Sequence, residues 1–121
     1  MTNELDFLNE FAALVHEGHK TWWHDPATGE KLNRNKGEML MLMVSELAEC
    51  MEGERKNLMD DHLPHRRAAE VELADLFIRA FDYAGGFKYD ISGAIREKLV
   101  YNKERADHKP EARLAENGKK F

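Results

Sequence analysis

Two stretches of sequence decide the fold: Met39-Leu-Met-Leu-Met-Val-Ser-Glu-Leu-Ala-Glu49 and Val71-Glu-Leu-Ala-Asp-Leu-Phe-Ile-Arg-Ala-Phe81. Each stretch is strongly apolar and carries two acids three positions apart, Glu46 with Glu49 and Glu72 with Asp75. Residues three apart lie on the same face of a helix. The two stretches therefore predict two apolar helices, each of which projects a pair of carboxylates from one face.

The four carboxylates predict a metal site. If the two helices pack together, the acids face one another, and such a cluster is unfavourable unless cations neutralise it. Oxygen ligands alone suit a hard cation, so Mg²⁺ is the expected metal, with Mn²⁺ as the second candidate. The competing interpretation is that the acids are solvated and pair with basic residues along their own helices. Only Asp75 has a basic residue four positions later, Arg79, and this favours the metal site.

A later segment, Lys98-Leu-Val-Tyr-Asn-Lys-Glu-Arg105, predicts a phosphate-binding face. Four of its polar side chains stand at helical spacing on one side: Lys98, Tyr101, Asn102 and Arg105. Cationic and amide groups beside a metal–carboxylate cluster can hold the oxygens of a triphosphate. An ordinary solvated face is the alternative, and the acids in the two preceding helices favour phosphate contact.

Taken in order, the three elements resemble the all-α nucleoside triphosphate pyrophosphohydrolases, the MazG-like superfamily, over about residues 35–105. The resemblance implies a four-helix bundle that oligomerisation completes, as a dimer or a tetramer. It also implies hydrolysis of a nucleoside triphosphate, expected to be a dNTP, to the monophosphate and pyrophosphate in nucleotide-pool control. Small stand-alone members occur in phages, some of which supply dGMP for modified genomes.

The resemblance also implies roles for single residues. The expected Mg²⁺ ligands are Glu46, Glu49, Glu72 and Asp75, and either Glu49 or Glu46 is expected to orient or deprotonate the attacking water. In the family, an aromatic residue near the first helix often lines the base pocket. Trp22 or Trp23 is therefore the expected base contact, with the other ring in the core, and the sequence leaves open which is which.

Composition limits the classes of partner. The 121 residues suffice for one domain with its own core, and a net charge of −5 argues against a nucleic-acid polymer as partner. The single cysteine, Cys50, excludes an intrachain disulfide. The longest apolar run, 39–44, is far too short to span a membrane, and no signal peptide is visible. We expect a cytoplasmic protein.

Apolar spacing and breaker residues predict four helices. They cover about residues 3–19, about 36–56 after an N-cap at Asn35, about 65–86, and a last helix from a cap at Asp90 or Ser92 to about 107. Residues 1–108 are expected to form the domain and 109–121 a polar tail. Residues 39–44 would make the second helix apolar on every side, which requires burial on every side. We therefore expect a homo-oligomer.

Other kinds of protein compete with this hypothesis. Ferritin-like di-iron proteins need a Glu-x-x-His pair on two helices, and no histidine lies three residues after any of the four acids. His16-Glu-Gly-His19 lacks the spacing of a zinc protease, so the histidines are expected at the surface or at helix ends. The alternative function is a non-catalytic helical interaction or regulatory oligomer, in which the acids are structural.

Overall fold

The computed structural model describes residues 4–121 and confirms the all-α class. In that range it contains five α-helices: α1 Phe7–Gly18, α2 Lys36–Lys56, α3 Ala68–Gly86, α4 Ile91–Glu104 and α5 Pro110–Leu114. Two short 3₁₀ helices cover Lys20–Trp23 and Ala106–His108. Residue 3, the predicted start of the first helix, and the first three residues of the predicted domain lie outside the described residues.

The chain divides into two compact units, residues 10–89 and residues 4–9 with 90–121. The larger unit contains most of α1 and all of α2 and α3. The smaller unit contains the first turn of α1 together with α4 and α5. Among the helices of residues 4–121, none has both the length and the apolar character needed to cross a lipid bilayer.

Helix α2 begins and ends at residues suited to helix caps. The Oδ1 atom of Asn35 accepts a hydrogen bond from the Glu38 N–H at 2.9 Å, which confirms the predicted N-cap. At the other end, Asn57 takes a left-handed conformation with φ of 52°, and its N–H bonds back to the last turn. These caps bound a helix of 21 residues, long enough to carry the whole apolar stretch and both of its acids.

Helices α2 and α3 form an antiparallel hairpin. The Cys50 thiol lies 3.4 Å from the carbonyl oxygen of Ala69 near the start of α3. Earlier on α2, Glu46 pairs with Arg79, which lies later on α3. Gly53 is buried against the start of α3, where a side-chain carbon at this position would lie 3.1 Å from the Ala68 methyl group. The absence of a side chain at Gly53 thus allows the two helices to approach closely beside the carboxylates.

Helix α3 starts three residues later than predicted, at Ala68 rather than near His65. The loop before it is closed by its own hydrogen bonds, from the Asp60 N–H to the Arg66 carbonyl at 2.9 Å and from the Arg67 N–H to the Glu70 carboxylate at 3.1 Å. These bonds stabilise a non-helical loop at the position where the sequence pattern predicted the first turn of the helix. The predicted end at Gly85-Gly86 is confirmed.

The larger unit has a small buried core, formed by Ala12, Trp23, Met39 and Ala84. The glycines at the end of α3 make this packing possible. A side chain on Gly85 would overlap the backbone of Ala12, and one on Gly86 would overlap the Trp23 ring. Glycine is therefore required here for close packing of α1 and the Trp23 indole, in addition to its role in ending the helix.

In the smaller unit, buried Ser92 anchors the start of α4. Its Oγ accepts the Asn9 N–H at 3.0 Å and donates to the Leu5 carbonyl at 2.8 Å. Asp90 is the N-cap, since its carboxylate accepts the Gly93 N–H at 2.9 Å. The helix ends at Glu104 rather than near 107, because Arg105 is extended and its side chain pairs with Asp107.

Candidate metal centre and adjoining pocket

Three carboxylates meet between α2 and α3. One oxygen each from Glu46, Glu72 and Asp75 lies within 4.8 Å of the others. Glu46 is only 8% exposed, so its charge is largely removed from water. The antiparallel hairpin explains the meeting, because Glu46, the first acid of the α2 pair, lies opposite Asp75, the last acid of the α3 pair. All the ligand atoms are oxygens, as Mg²⁺ prefers.

Burial and the neighbouring negative charges both disfavour full ionisation of this cluster. Burial raises the pKa of the Glu72 carboxyl to about 8, and hydrogen bonding to Glu46 and Glu49 adds to the increase. Burial also raises the pKa of Asp75, followed by the negative charge of Glu46, while Arg79 opposes the increase. The cluster therefore favours a proton or a cation over full ionisation.

Glu49 belongs to the cluster but lies at its edge. It is outside the group of three oxygens within 4.8 Å, and its residue is exposed. Its contact with the cluster is through Glu72, whose carboxyl it can hydrogen-bond. The structure therefore brings all four predicted acids to one place, with Glu49 as the most accessible of them.

The sequence analysis named Arg79 without its main partner and missed a second charged residue near the acids, Asp60. Arg79 donates its Nε–H to Glu46 at 3.2 Å, although its position suggested Asp75 as partner. The negative charge of Asp60, in the loop before α3, contributes to the raised pKa of Asp75. One Asp60 oxygen accepts the backbone N–H groups of His62 and Leu63 at 2.9 and 2.8 Å. From sequence alone, an aspartate in such a loop indicates only a turn cap. No sequence pattern indicates that its charge also acts on Asp75.

A pocket of about 420 Å³ adjoins the carboxylates within the larger unit. Its walls include two of the acids and their cationic neighbour, Glu46, Asp75 and Arg79. Three apolar residues of α2 and α3 also line the pocket: Met39, Leu42 and Ile78. The remaining lining residues are polar or aromatic: His19, Trp22, Arg34, Glu38 and Asp82. A concave site that brings polar groups together beside apolar side chains is a candidate small-molecule site.

The two adjacent tryptophans have different surroundings. Trp23 is 3% exposed and packs edge-to-face against His16 and Phe87, with ring centroids 4.8 and 5.2 Å apart. Trp22 is 69% exposed and lines the pocket. Of the two rings, Trp23 is thus the core residue, and Trp22 is the one that a ligand in the pocket can contact.

Asp82 is a buried acid that the sequence analysis did not select. It is 8% exposed and lines the pocket. The Trp23 indole N–H lies 3.1 Å from both of its oxygens, and the Nδ1 atom of His16 lies 2.9 Å from Oδ1. His16 was expected at the surface or at a helix end, and its bond to Asp82 gives it a structural position instead. These contacts join residues 59 and 66 positions apart, so local pattern cannot reveal them.

The predicted phosphate-binding residues lie on α4 and just after it, in the smaller unit. The Lys98 Nζ atom is 4.6 Å from the centroid of the Tyr101 ring, and the Arg105 guanidinium is 5.7 Å from it. Arg105 makes two hydrogen bonds to Asp107, at 3.0 and 2.8 Å. The Oδ1 atom of Asn102 is buried and has no hydrogen-bond partner within residues 4–121. The spacing thus groups two cations around Tyr101.

Comparison of the chain with protein-family models, with curated proteins and with solved structures found no match.

Proposed function

We propose that this chain is a Mg²⁺-dependent nucleoside triphosphate pyrophosphohydrolase of the MazG-like kind. The observation that carries the proposal is the meeting of Glu46, Glu72 and Asp75, with one oxygen each within 4.8 Å, at the side of a pocket of about 420 Å³. Its substrate is a nucleoside triphosphate, preferentially a dNTP, and its products are the nucleoside monophosphate and pyrophosphate.

The carboxylates suit a divalent cation for two reasons. Their donor atoms are all oxygens, and burial together with the neighbouring acids raises the pKa values of Glu72 and Asp75, so a bound cation would favour their ionised forms. Glu46, Glu72 and Asp75 would hold the metal, with Glu49 at the edge. Bound there, Mg²⁺ would neutralise phosphate oxygens and lower the pKa of the attacking water.

Of the two proposed catalytic acids, Glu49 is better placed to orient or deprotonate that water. Glu46 is buried and accepts the Arg79 N–H, which keeps its carboxylate engaged. Glu49 is exposed and has no such cationic partner within residues 4–121. In the reaction, the water oxygen bonds to the α-phosphorus, and the bond from that phosphorus to the bridging oxygen breaks. The β and γ groups leave together as pyrophosphate.

The substrate's other contacts are divided between two sets of residues. We assign the phosphate oxygens to Lys98 and Asn102, with Tyr101 and Arg105 beside them, because charged and amide donors suit that role. We assign the base to Trp22, which is exposed and lines the pocket. Aromatic rings commonly stack on nucleobases.

An exposed apolar stripe on α2 supports the homo-oligomer. Leu40, Val44, Leu47 and Met51 follow one another at intervals of four, three and four residues, and each is 45–56% exposed. That spacing places them on one helix face, as in the seam between two packed helices. We propose that a second copy of this chain covers this stripe and completes a four-helix MazG-like bundle, as a dimer or a tetramer.

The test is product analysis with a dNTP panel, in Mg²⁺ and in EDTA, with ion chromatography of the products. Pyrophosphate and monophosphate that appear only with metal would support the proposal. Nucleoside diphosphate plus orthophosphate would contradict it. The same apolar stripe also suits a non-catalytic regulatory oligomer, and that function is favoured if the oligomer forms but no nucleotide is hydrolysed with either Mg²⁺ or Mn²⁺.

A further inference from the structure

Asp82 lies at the opposite end of the pocket from the metal-binding acids. Asp75 and Asp82 both line the pocket from α3 and are seven residues apart. Seven residues of helix correspond to roughly 10 Å along the axis. Because α2 is antiparallel to α3, Met39 lies beside the Asp82 end and Glu46 beside the Asp75 end. The pocket thus has an acidic end suited to metal and phosphate and a second, separate polar end.

The orientation of Asp82 is set by two donors from the protein. The Trp23 indole N–H contacts both oxygens at 3.1 Å, and His16 contacts Oδ1 at 2.9 Å. A carboxylate has about four acceptor positions, so these contacts leave acceptor capacity for a ligand. A ligand that brings an N–H group here gains a hydrogen bond to a carboxylate already held in place, and one that brings a carbonyl oxygen gains none. Asp82 therefore favours a ligand that places an N–H group at this end.

Arg34 supplies the complementary donors. One of its Nη groups donates to the Trp22 carbonyl at 3.0 Å, and the guanidinium lies 5.6 Å from the Trp23 ring centroid. A guanidinium has five N–H donors in a fixed plane, and Arg34 lines the same pocket as Asp82 and Trp22. This end of the pocket therefore combines a fixed acceptor, fixed donors and an exposed aromatic ring.

We propose that Asp82 and Arg34 select a nucleobase that carries both an exocyclic amino group and a ring carbonyl, namely guanine or cytosine. The amino group donates to Asp82, the carbonyl accepts from Arg34, and Trp22 stacks on the ring. Adenine lacks the carbonyl, and thymine and uracil lack the amino group. The inference rests on the proposed function for the nucleotide's orientation, but base selection can be measured without hydrolysis.

The test uses deoxynucleosides, which have no phosphate, and the wild-type protein in EDTA. Calorimetry and ligand-observed NMR give the affinities for deoxyguanosine, deoxycytidine, deoxyadenosine and thymidine. Two analogues remove only the amino group: deoxyinosine for guanine and deoxyzebularine for cytosine. We expect deoxyguanosine or deoxycytidine to bind about tenfold more tightly than deoxyadenosine and thymidine. The preferred nucleoside should also bind about tenfold more tightly than its analogue without the amino group, because the analogue loses one hydrogen bond to a charged group.

A variant pair links the selection to the residue. Asp82→Asn should remove most of the preference, while Asp61→Asn, at an exposed loop position, should retain it. Equal affinities for the amino-bearing base and its analogue in the wild type would overturn the inference even if Asp82→Asn does not fold. So would the absence of binding by both amino-bearing nucleosides. Selective binding without pyrophosphate release would instead refute only the proposed hydrolysis.

Discussion

Arg79 on α3 donates its Nε–H to the Oε1 atom of Glu46 on α2, across the helix pair, at 3.2 Å. Glu46 is buried, and an ionised carboxylate in such a place needs a partner. Arg79 provides one positive charge beside four acids. Burial raises the pKa values of Glu72 and Asp75, the neighbouring acids raise them further, and a divalent cation would neutralise the remaining negative charge.

Replacing Arg79 with alanine should destabilise the protein by about 1–2 kcal/mol, because Glu46 then loses its cationic partner. Urea unfolding in EDTA measures the free energy of unfolding. The matched control is Arg66→Ala, which removes a surface ion pair with Glu70 and should change stability by less than about 0.5 kcal/mol. Equal losses of unfolding free energy in the two variants would show that the Arg79–Glu46 pair stabilises the protein no more than a surface ion pair does.

The stability of the metal-free protein should fall as pH rises from about 4.5 to 8. Folding raises the pKa of Glu72 from 4.5 to about 8, so the folded state binds a proton that the unfolded state releases. The stabilisation is complete below the lower pKa and is lost as pH rises through the higher one. Melting temperatures in EDTA across this range test the slope. Glu72→Gln should flatten it, whereas Glu54→Gln, on the exposed surface of α2, should leave it unchanged.

Mg²⁺ or Mn²⁺ should raise the melting temperature, since a ligand that binds only the folded state stabilises it. The gain is about 2.7 kcal/mol at a metal concentration one hundred times Kd. Glu49→Gln and Asp75→Asn should lose most of this gain. Glu52→Gln serves as the control, because Glu52 pairs with Lys56 on the helix surface. A full metal response in both cluster variants would rule out the assignment.

The purified protein should be an oligomer at micromolar concentration, and Leu47→Glu should dissociate it. A charge at this position lies in the middle of the apolar stripe and would be buried in the interface. Light scattering gives the mass, and a particle of 14.0 kDa is the monomer. Leu114→Glu alters an exposed leucine on α5 instead and should leave the mass unchanged. A monomeric wild type would contradict the oligomer.

Phosphate and base contacts should be separable by kinetics. Lys98→Ala and Asn102→Ala should lower kcat/KM for all four dNTPs by about ten- to a hundredfold, because every substrate has the same phosphates. Trp22→Ala should instead change the ranking among the bases. Lys103→Ala is the control on the same helix. If Lys98→Ala reorders the bases and Trp22→Ala does not, the proposed division is wrong.

The sequence predicted the helices best where a local signal marks their ends. Asn35 caps α2 as expected, and Gly85-Gly86 ends α3. The start of α3 was predicted too early because the turn before it depends on bonds between Asp60 and Arg66, which no periodicity shows. Arg105 was placed within the fourth helix, but its pair with Asp107 lies just beyond the helix end.

The candidate site shows the same division between local and distant information. Acid pairs three residues apart could be recognised on one helix, and the structure brings both pairs together. The partner of Glu46 could not be predicted from residues four positions away, because it lies 33 positions away on the next helix. The hydrogen bonds of Asp82 to His16 and Trp23 depend on how three chain segments pack together. The sequence of any one segment does not indicate that packing.

The unequal surroundings of Trp22 and Trp23 provide a built-in optical probe. An aqueous quencher such as acrylamide reaches the exposed Trp22 ring and is kept from Trp23 by the packing around it. Nucleotide binding can therefore be followed, without a label, as protection of the quenchable half of the fluorescence. The Trp23 indole proton, held by Asp82, should exchange slowly with deuterium and so report how often the interior opens.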